Sequence, residues 1–220
     1  MNAQPASARK LINRLTLSKG RVEALTDGIF AIAMTLLVLE LKVPELSKSV
    51  GSAELLLKLG EAMPGFFSFL VSFLYCGVLW ILHHLAMHFV RHVQLVLVWL
   101  NLLFLMSVSL VPFSCALLGH FLRNTAAQEI YFANLLVCAA LLWRQWVVAR
   151  RKGLISLDDP IAAKAMGQRL AVFPLALAAG MAATLYRPMA GFYAMMAVLL
   201  GLRIYQRRFL TAPEATHSSS

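Results

Sequence analysis

The chain has 220 residues, 60% hydrophobic and only 14% charged, with a formal net charge of +10 and a mean hydropathy of +0.73. An average soluble domain is about a quarter charged and just under half apolar, so this chain cannot cover itself with polar surface in water. A soluble fold, disorder and a fibrous repeat are excluded; what remains is an integral membrane protein of one domain, with no polar stretch long enough to fold beside it.

The basic excess does not point to nucleic acid. A nucleic-acid footprint gathers Lys and Arg on a folded aqueous face, whereas here they sit between apolar runs. Beside membrane spans such charge mostly reports topology. Cys76, Cys115 and Cys138 fall inside apolar runs without C-x-x-C spacing, which argues for buried thiols rather than a disulfide framework or a zinc site.

Taken in order, a basic arm over residues 1–21 precedes a membrane domain over 22–205, and a tail occupies 206–220. About 20 mostly apolar residues are needed per span. That requirement predicts six helices, near 22–41, 66–87, 93–118, 129–149, 170–186 and 189–205. The expected fold class is therefore an all-α membrane protein with six transmembrane helices. The first apolar run ends in Leu-Glu-Leu-Lys-Val-Pro rather than a small-residue cleavage site, so it reads as a retained span and not a signal peptide. Segment 42–65, whose lysines are balanced by Glu45, Glu54 and Glu61, reads as a short amphipathic loop. Tyr186, Arg187 and Pro188 form a tight turn between the last two spans.

On this count fifteen Lys and Arg residues fall on the side of the termini, against five (Lys42, Lys48, Lys58, Arg123 and Arg187) on the other. The positive-inside rule then places both termini in the cytoplasm. Arg150, Arg151 and Lys152 serve that rule and could touch lipid headgroups.

The first helix is anomalous. Its uncharged stretch, Gly28 to Leu39, is about 18 Å long, against a hydrocarbon core of roughly 30 Å. Asp27 and Glu40, with Arg21 and Glu23, must then lie near or within the membrane, where charged groups usually face a bundle interior or a water-filled path. Snorkelling is the simpler alternative, but aspartate is too short for it. Asp27 either pairs with Arg21 or accepts from donors on a neighbouring helix; the second is favoured because donors exist. Trp80, His83, His84 and His88 cluster at the end of the second span and Asn101 lies in the third. His84 and His88 share a helical face and could form a metal pair. With no third ligand nearby, interhelical hydrogen bonding is the expected role of the histidines and Asn101.

Pro112 should kink or stop the third span. Ala176, Ala178, Ala179, Gly180, Ala182 and Ala183 permit close packing of the fifth.

The stretch Arg21-Val-Glu-Ala-Leu25-Thr26-Asp27 resembles the R-x-x-x-F-S-D signature of the transmembrane protein 175 family, the endolysosomal potassium channels and their prokaryotic homologues. Trp80-Ile-Leu-His83-His84 and Trp99-Leu-Asn101, continuing to Pro112-Phe113, agree with it. The matches span roughly residues 21–119, and Leu25 and Thr26 replace the motif's Phe and Ser. The resemblance implies a homotetramer of six-helix subunits, without a carbonyl selectivity filter, in which four first helices line a central cation pathway. It implies an apolar constriction at Ile32, with Thr35, Leu36 and Leu39 on the same stripe, and an interhelical network of Arg21, Leu25, Thr26, Asp27, Trp80, His83, His84 and Asn101.

The stripe also follows from helical spacing, since Ile32, Leu36 and Leu39 are i, i+4 and i+7. Asp27 lies roughly 140° round the helix from Ile32 and so faces neighbouring helices. The sequence reading is thus a potassium-permeable channel with no cofactor and no covalent chemistry. Its partners are its own copies, membrane lipid and monovalent cations, and its place is the plasma membrane of a prokaryote. The alternatives are a proton-coupled transporter using Asp27, Glu40 and the histidines, and a membrane metalloenzyme using His83, His84 and His88.

Overall fold

The computed structural model describes residues 18–46, 51–156 and 158–194, with positions 197 and 201. Seven helices follow in chain order: α1 Lys19–Leu39, α2 Ser52–Glu61, α3 Met63–His88, α4 Leu95–Ser109, α5 Val111–His120, α6 Thr125–Arg151 and α7 Pro160–Tyr186. Counting α4 and α5 together, five stretches among the described residues are long and apolar enough to cross a membrane. The sixth expected span opens at residue 190. Most of it lies outside the described residues, as do most of the basic arm and the tail over 206–220.

Local chemistry accounts for the differences from the expected boundaries. α6 begins earlier than residue 129 because the Asn124 side chain caps it, accepting from the backbone amides of Ala126 (2.9 Å) and Ala127 (3.3 Å). α7 begins at Pro160 rather than 170. Asp159 Oδ1 accepts from the Ala162 amide at 2.9 Å, and proline in the first turn lacks only an N–H that would be unpaired there anyway. Lys164 and Arg169 interrupt the hydropathy without interrupting the helix. The segment read as a loop contains α2, whose Glu54, Lys58 and Glu61 recur at helical spacing while Leu55, Leu56, Leu57 and Leu59 remain at least partly exposed. Pro112 acts as expected: α4 stops at Ser109, and α5 restarts with the proline in its first turn.

α6 packs against α4, α5 and α7, while α1 lies against α3, α4 and α5. The core between them holds Phe30, Leu79, Phe104, Val108, Tyr131, Phe132 and Leu135. Between helices in lipid, packing and interhelical hydrogen bonds replace water exclusion as the cohesive forces. Tyr75 accordingly donates to the Leu135 carbonyl (2.7 Å), and the hydroxyls of Ser72 and Tyr131 meet at 3.0 Å.

Of the small residues on α7, Ala176 and Gly180 are buried, whereas Ala178, Ala179 and Ala182 are exposed. Gly180 faces Gly191 beyond the turn. A Cβ at Gly191 would stand 2.7 Å from the Gly180 carbonyl oxygen and 2.4 Å from Thr184 Cγ2, so glycine is required for that approach.

Two turns at one end are joined. Val90 and Ile155 form an isolated antiparallel bridge, with Arg91 N–H donating to Leu154 (2.9 Å) and Ser156 N–H to Phe89 (2.7 Å). The Arg91 guanidinium donates to Ser156 Oγ (2.9 Å) and Asp158 Oδ1 (2.7 Å). The Ser156 hydroxyl, and then Arg91, hold the Asp158 carboxyl below its usual range.

Candidate ion pathway and its hydrogen-bond network

α1 has two unlike faces. Val22, Thr26, Phe30, Ala33 and Leu37 are buried against the bundle, spaced by three or four residues as one helical face requires. Away from them, Ile32 is 57% exposed, Leu36 42% and Leu39 69%. Thr35 shares this exposed surface. Its hydroxyl is within reach of the Ala31 (3.0 Å) and Ile32 (2.9 Å) carbonyls of its own helix. Donating there leaves the oxygen lone pairs of Thr35 free to accept.

What fixes this orientation is a chain of polar contacts on the opposite face. The buried Thr26 hydroxyl donates to the Val22 carbonyl (2.9 Å) and accepts from Asn101 Nδ2 (3.1 Å). With its amide nitrogen so used, Asn101 offers Oδ1 to His83 Nε2 at 3.0 Å, which makes Nε2 the protonated ring nitrogen. The His83 ring lies almost parallel to Phe104, with centroids 5.6 Å apart, and Phe104 in turn meets Phe30 of α1 at 5.8 Å. Polar and aromatic contacts therefore seat the same turn of α1.

Asp27 is held separately. Trp80 Nε1–H donates to Asp27 Oδ1 at 2.8 Å, and the indole stacks on His84 at 5.9 Å. Asp27 thus accepts from a neighbouring helix rather than pairing with Arg21. Arg21 and Leu25 are exposed and make no hydrogen bond in this network. His84 contributes by stacking alone. His88 is exposed and meets Phe89 edge-on, while His84 stacks on Trp80, so the two histidines of the suggested metal pair are turned to different aromatic neighbours. Among the described residues no group of three or more His, Cys, Asp or Glu is placed to hold a metal ion. The three cysteines are buried and free.

At its far end α1 stops at Leu39, and Glu40 lines a cavity of about 300 Å³ with Glu61 and His120. Lys58 binds Glu61 at 2.9 Å, and this contact raises the lysine above its ordinary pKa. A smaller cavity, about 20 Å³, lies on the other side of the Thr26 network and is lined by His83, Asn101 and Gln145 among others. The sequence reading did not include Phe30, Phe104 or Gln145. Phe30 could have been found by its four-residue spacing from Thr26; the other two become neighbours of the site only through the packing of α4 and α6.

Three comparisons bear on this geometry. The family model described as "Endosomal/lysosomal potassium channel TMEM175" matches residues 21–112, the stretch that carries both faces of α1 and all of the Thr26 and Asp27 contacts. A potassium channel of Streptomyces collinus is 40% identical over 145 residues, covering 64% of this chain and 68% of that protein. The human endosomal/lysosomal proton channel TMEM175 is 35% identical over 113 residues, which is 49% of this chain but 22% of the much longer human protein. The crystal structure of a lysosomal potassium-selective channel TMEM175 homolog from Chamaesiphon minutus superposes with a TM-score of 0.74 at 31% identity, covering 84% of this chain and 97% of that one. With the Streptomyces collinus relative and that structure matched over most of their lengths, the chain belongs to the TMEM175 family.

Proposed function

We propose that this chain is the subunit of a potassium-permeable cation channel, assembled as a homotetramer in which four copies of α1 line a central pathway. The observation that carries the reading is the uncovered face of α1: an apolar stripe on a helix whose other face is fastened by hydrogen bonds. Four such stripes facing one another give a constriction of Ile32, Leu36 and Leu39 side chains with Thr35 between them. An apolar ring gates by dewetting, and threonine oxygens replace part of the hydration a cation gives up. Potassium then moves down its gradient, without cofactor or covalent chemistry. Kinship with potassium channels of bacteria supports potassium as the permeant ion.

In this reading residues 22–205 form the channel domain, flanked by the arm over 1–21 and the tail over 206–220. Both termini lie in the cytoplasm, and the tetramer sits among lipids of a prokaryotic plasma membrane. Thr26, Asp27, Trp80, His83 and Asn101 hold α1 so that Ile32 meets its symmetry mates.

The mammalian relatives named as proton channels favour one second reading, proton movement through Asp27 and the histidines. Against a relay stands the division of the polar contacts into two units, Asp27 with Trp80 and Thr26 with Asn101 and His83.

The test is ion flux from liposomes holding the purified protein, under a potassium gradient, then a sodium gradient, then a pH gradient. Potassium flux above that of empty liposomes, altered by Ile32→Asn, supports the channel and its constriction. Absence of flux from folded, inserted protein refutes it, and pH-driven uptake against a substrate gradient would establish the transporter instead.

A further inference from the structure

We propose that the cavity of about 20 Å³ beside His83 is a binding site for one water molecule, held between Gln145 and His83, and that Gln145 is thereby a positioning residue for α1.

The argument begins with a donor that has nowhere to donate. Gln145 of α6 is only 8% exposed, and its Nε2 has no hydrogen-bond partner among the described residues. Buried amide groups are almost always hydrogen-bonded, to protein or to ordered water. Gln145 lines the cavity together with His83 and Asn101. Its neighbour Trp146 also has an indole N–H without a partner among the described residues. Trp146 lines the cavity as well, but its N–H lies against Gly167 of α7, where a Cβ would come within 2.7 Å of it.

On the other side of the cavity the donor order is already set. Thr26 donates to Val22, Asn101 to Thr26, and His83 Nε2 to Asn101. His83 Nδ1 is left as a lone-pair acceptor. The site therefore offers a buried donor on Gln145 and the Nδ1 lone pair of the buried His83 ring, across a volume that admits one water and no organic molecule. A cation does not suit the amide N–H, and an anion does not suit the Nδ1 lone pair. Water alone in this size class accepts from the first and donates to the second.

With that water the polar contacts become one chain, all donating in the same direction: Gln145 to water, water to His83, His83 to Asn101, Asn101 to Thr26, Thr26 to the Val22 carbonyl. The chain links α6 to the turn of α1 that precedes Asp27. A side chain far from the uncovered face thus helps to aim Ile32, a consequence for conduction that rests on the pore reading above.

The test uses the assembled protein in lipid bilayers with ¹⁵N-labelled histidine. Magic-angle-spinning NMR reads whether Nδ1 of His83, assigned by its loss in His83→Gln, carries the shift of a hydrogen-bonded acceptor. The expected result is a bonded Nδ1 in the native protein that moves to the unbonded position in Gln145→Met, with the Nε2–H signal retained. An unbonded Nδ1 in the native protein overturns the proposal without reference to any variant, and an Nδ1 signal indifferent to Gln145→Met overturns Gln145 as the partner. Potassium flux is measured on the same samples. A change of about twofold or more in Gln145→Met supports the positioning role, and unchanged flux with a shifted Nδ1 overturns that role. Absence of flux from the native protein overturns the pore reading, while the resonance still decides the water site.

Discussion

The two halves of α1 are built on different principles. From Arg21 to Phe30 the helix is fastened by directional contacts: Asn101 to Thr26, Trp80 to Asp27, and the Phe30–Phe104 pair. From Ala31 to Leu39 it is seated by the apolar contacts of Ala33, Met34 and Leu37, with Ile32, Leu36 and Leu39 left uncovered. Apolar packing alone tolerates rotation and sliding, because dispersion has no preferred direction. Hydrogen bonds in the first half select one rotation, and the second half expresses it as a face.

The sharpest way to break this comparison is Ile32→Asn. An amide on the uncovered face lowers the cost of wetting it, and a barrier reduced by about 1.4 kcal/mol raises potassium flux about tenfold. The same substitution should leave the melting temperature nearly unchanged, since the side chain is not packed in the subunit core. If flux does not move, the two halves do not divide fastening from conduction.

Asn101→Leu attacks the fastened half. It leaves the His83 Nε2–H without its acceptor and Thr26 without its donor, and thermal unfolding in lipid or detergent should show a loss of about 1 kcal/mol. Flux should change as well, because rotation of α1 is no longer selected. A smaller effect separates hydrogen bonding from charge at Asp27. Trp80→Phe removes the donor, for about 0.5 kcal/mol, whereas Asp27→Asn keeps an acceptor for the indole and should cost less. Reversal of that order would mean the carboxylate charge, not the indole contact, holds this turn.

The smallest effect lies away from α1, in the joined turns. Asp158 has a carboxyl pKa held below its ordinary value by the Ser156 hydroxyl and Arg91. A depressed folded-state value contributes stability above the unfolded pKa and loses it as pH falls through the folded one. Protection of the amides of residues 89–91 and 154–156, measured relative to their intrinsic exchange rates, should therefore be constant from neutral pH down to about 4 and fall only below it, by a small factor because both side chains are exposed.

Much of the architecture was legible in the sequence. Uncharged runs locate α3 and the α4–α5 pair to within a few residues, and Pro112 marks their break, because hydropathy and proline chemistry are local. α7 was read ten residues short for the same reason: a helix that leaves the membrane keeps its hydrogen bonds but loses its apolar run at Lys164 and Arg169. α2 went unread because ten amphipathic residues fall below the length of a span. At the site, the cost of a carboxylate near the membrane and the donors on neighbouring helices pointed Asp27 to a partner on another helix, but which donor it takes depends on helix packing. Trp80 and His83 are three residues apart on α3, yet one meets Asp27 and the other Asn101. Sequence spacing could not separate those roles.

The joined turns have a mechanical consequence. The Val90–Ile155 bridge and the Arg91–Asp158 ion pair pin the α3–α4 corner to the α6–α7 corner, so these four spans form a braced truss. Among the described residues α1 has no member in that brace and bears on the truss through its side-chain pins and the chain after Leu39. A rotation or shift of α1 would therefore cost side-chain contacts, whereas one between the two corners would also have to break the Val90–Ile155 backbone bridge.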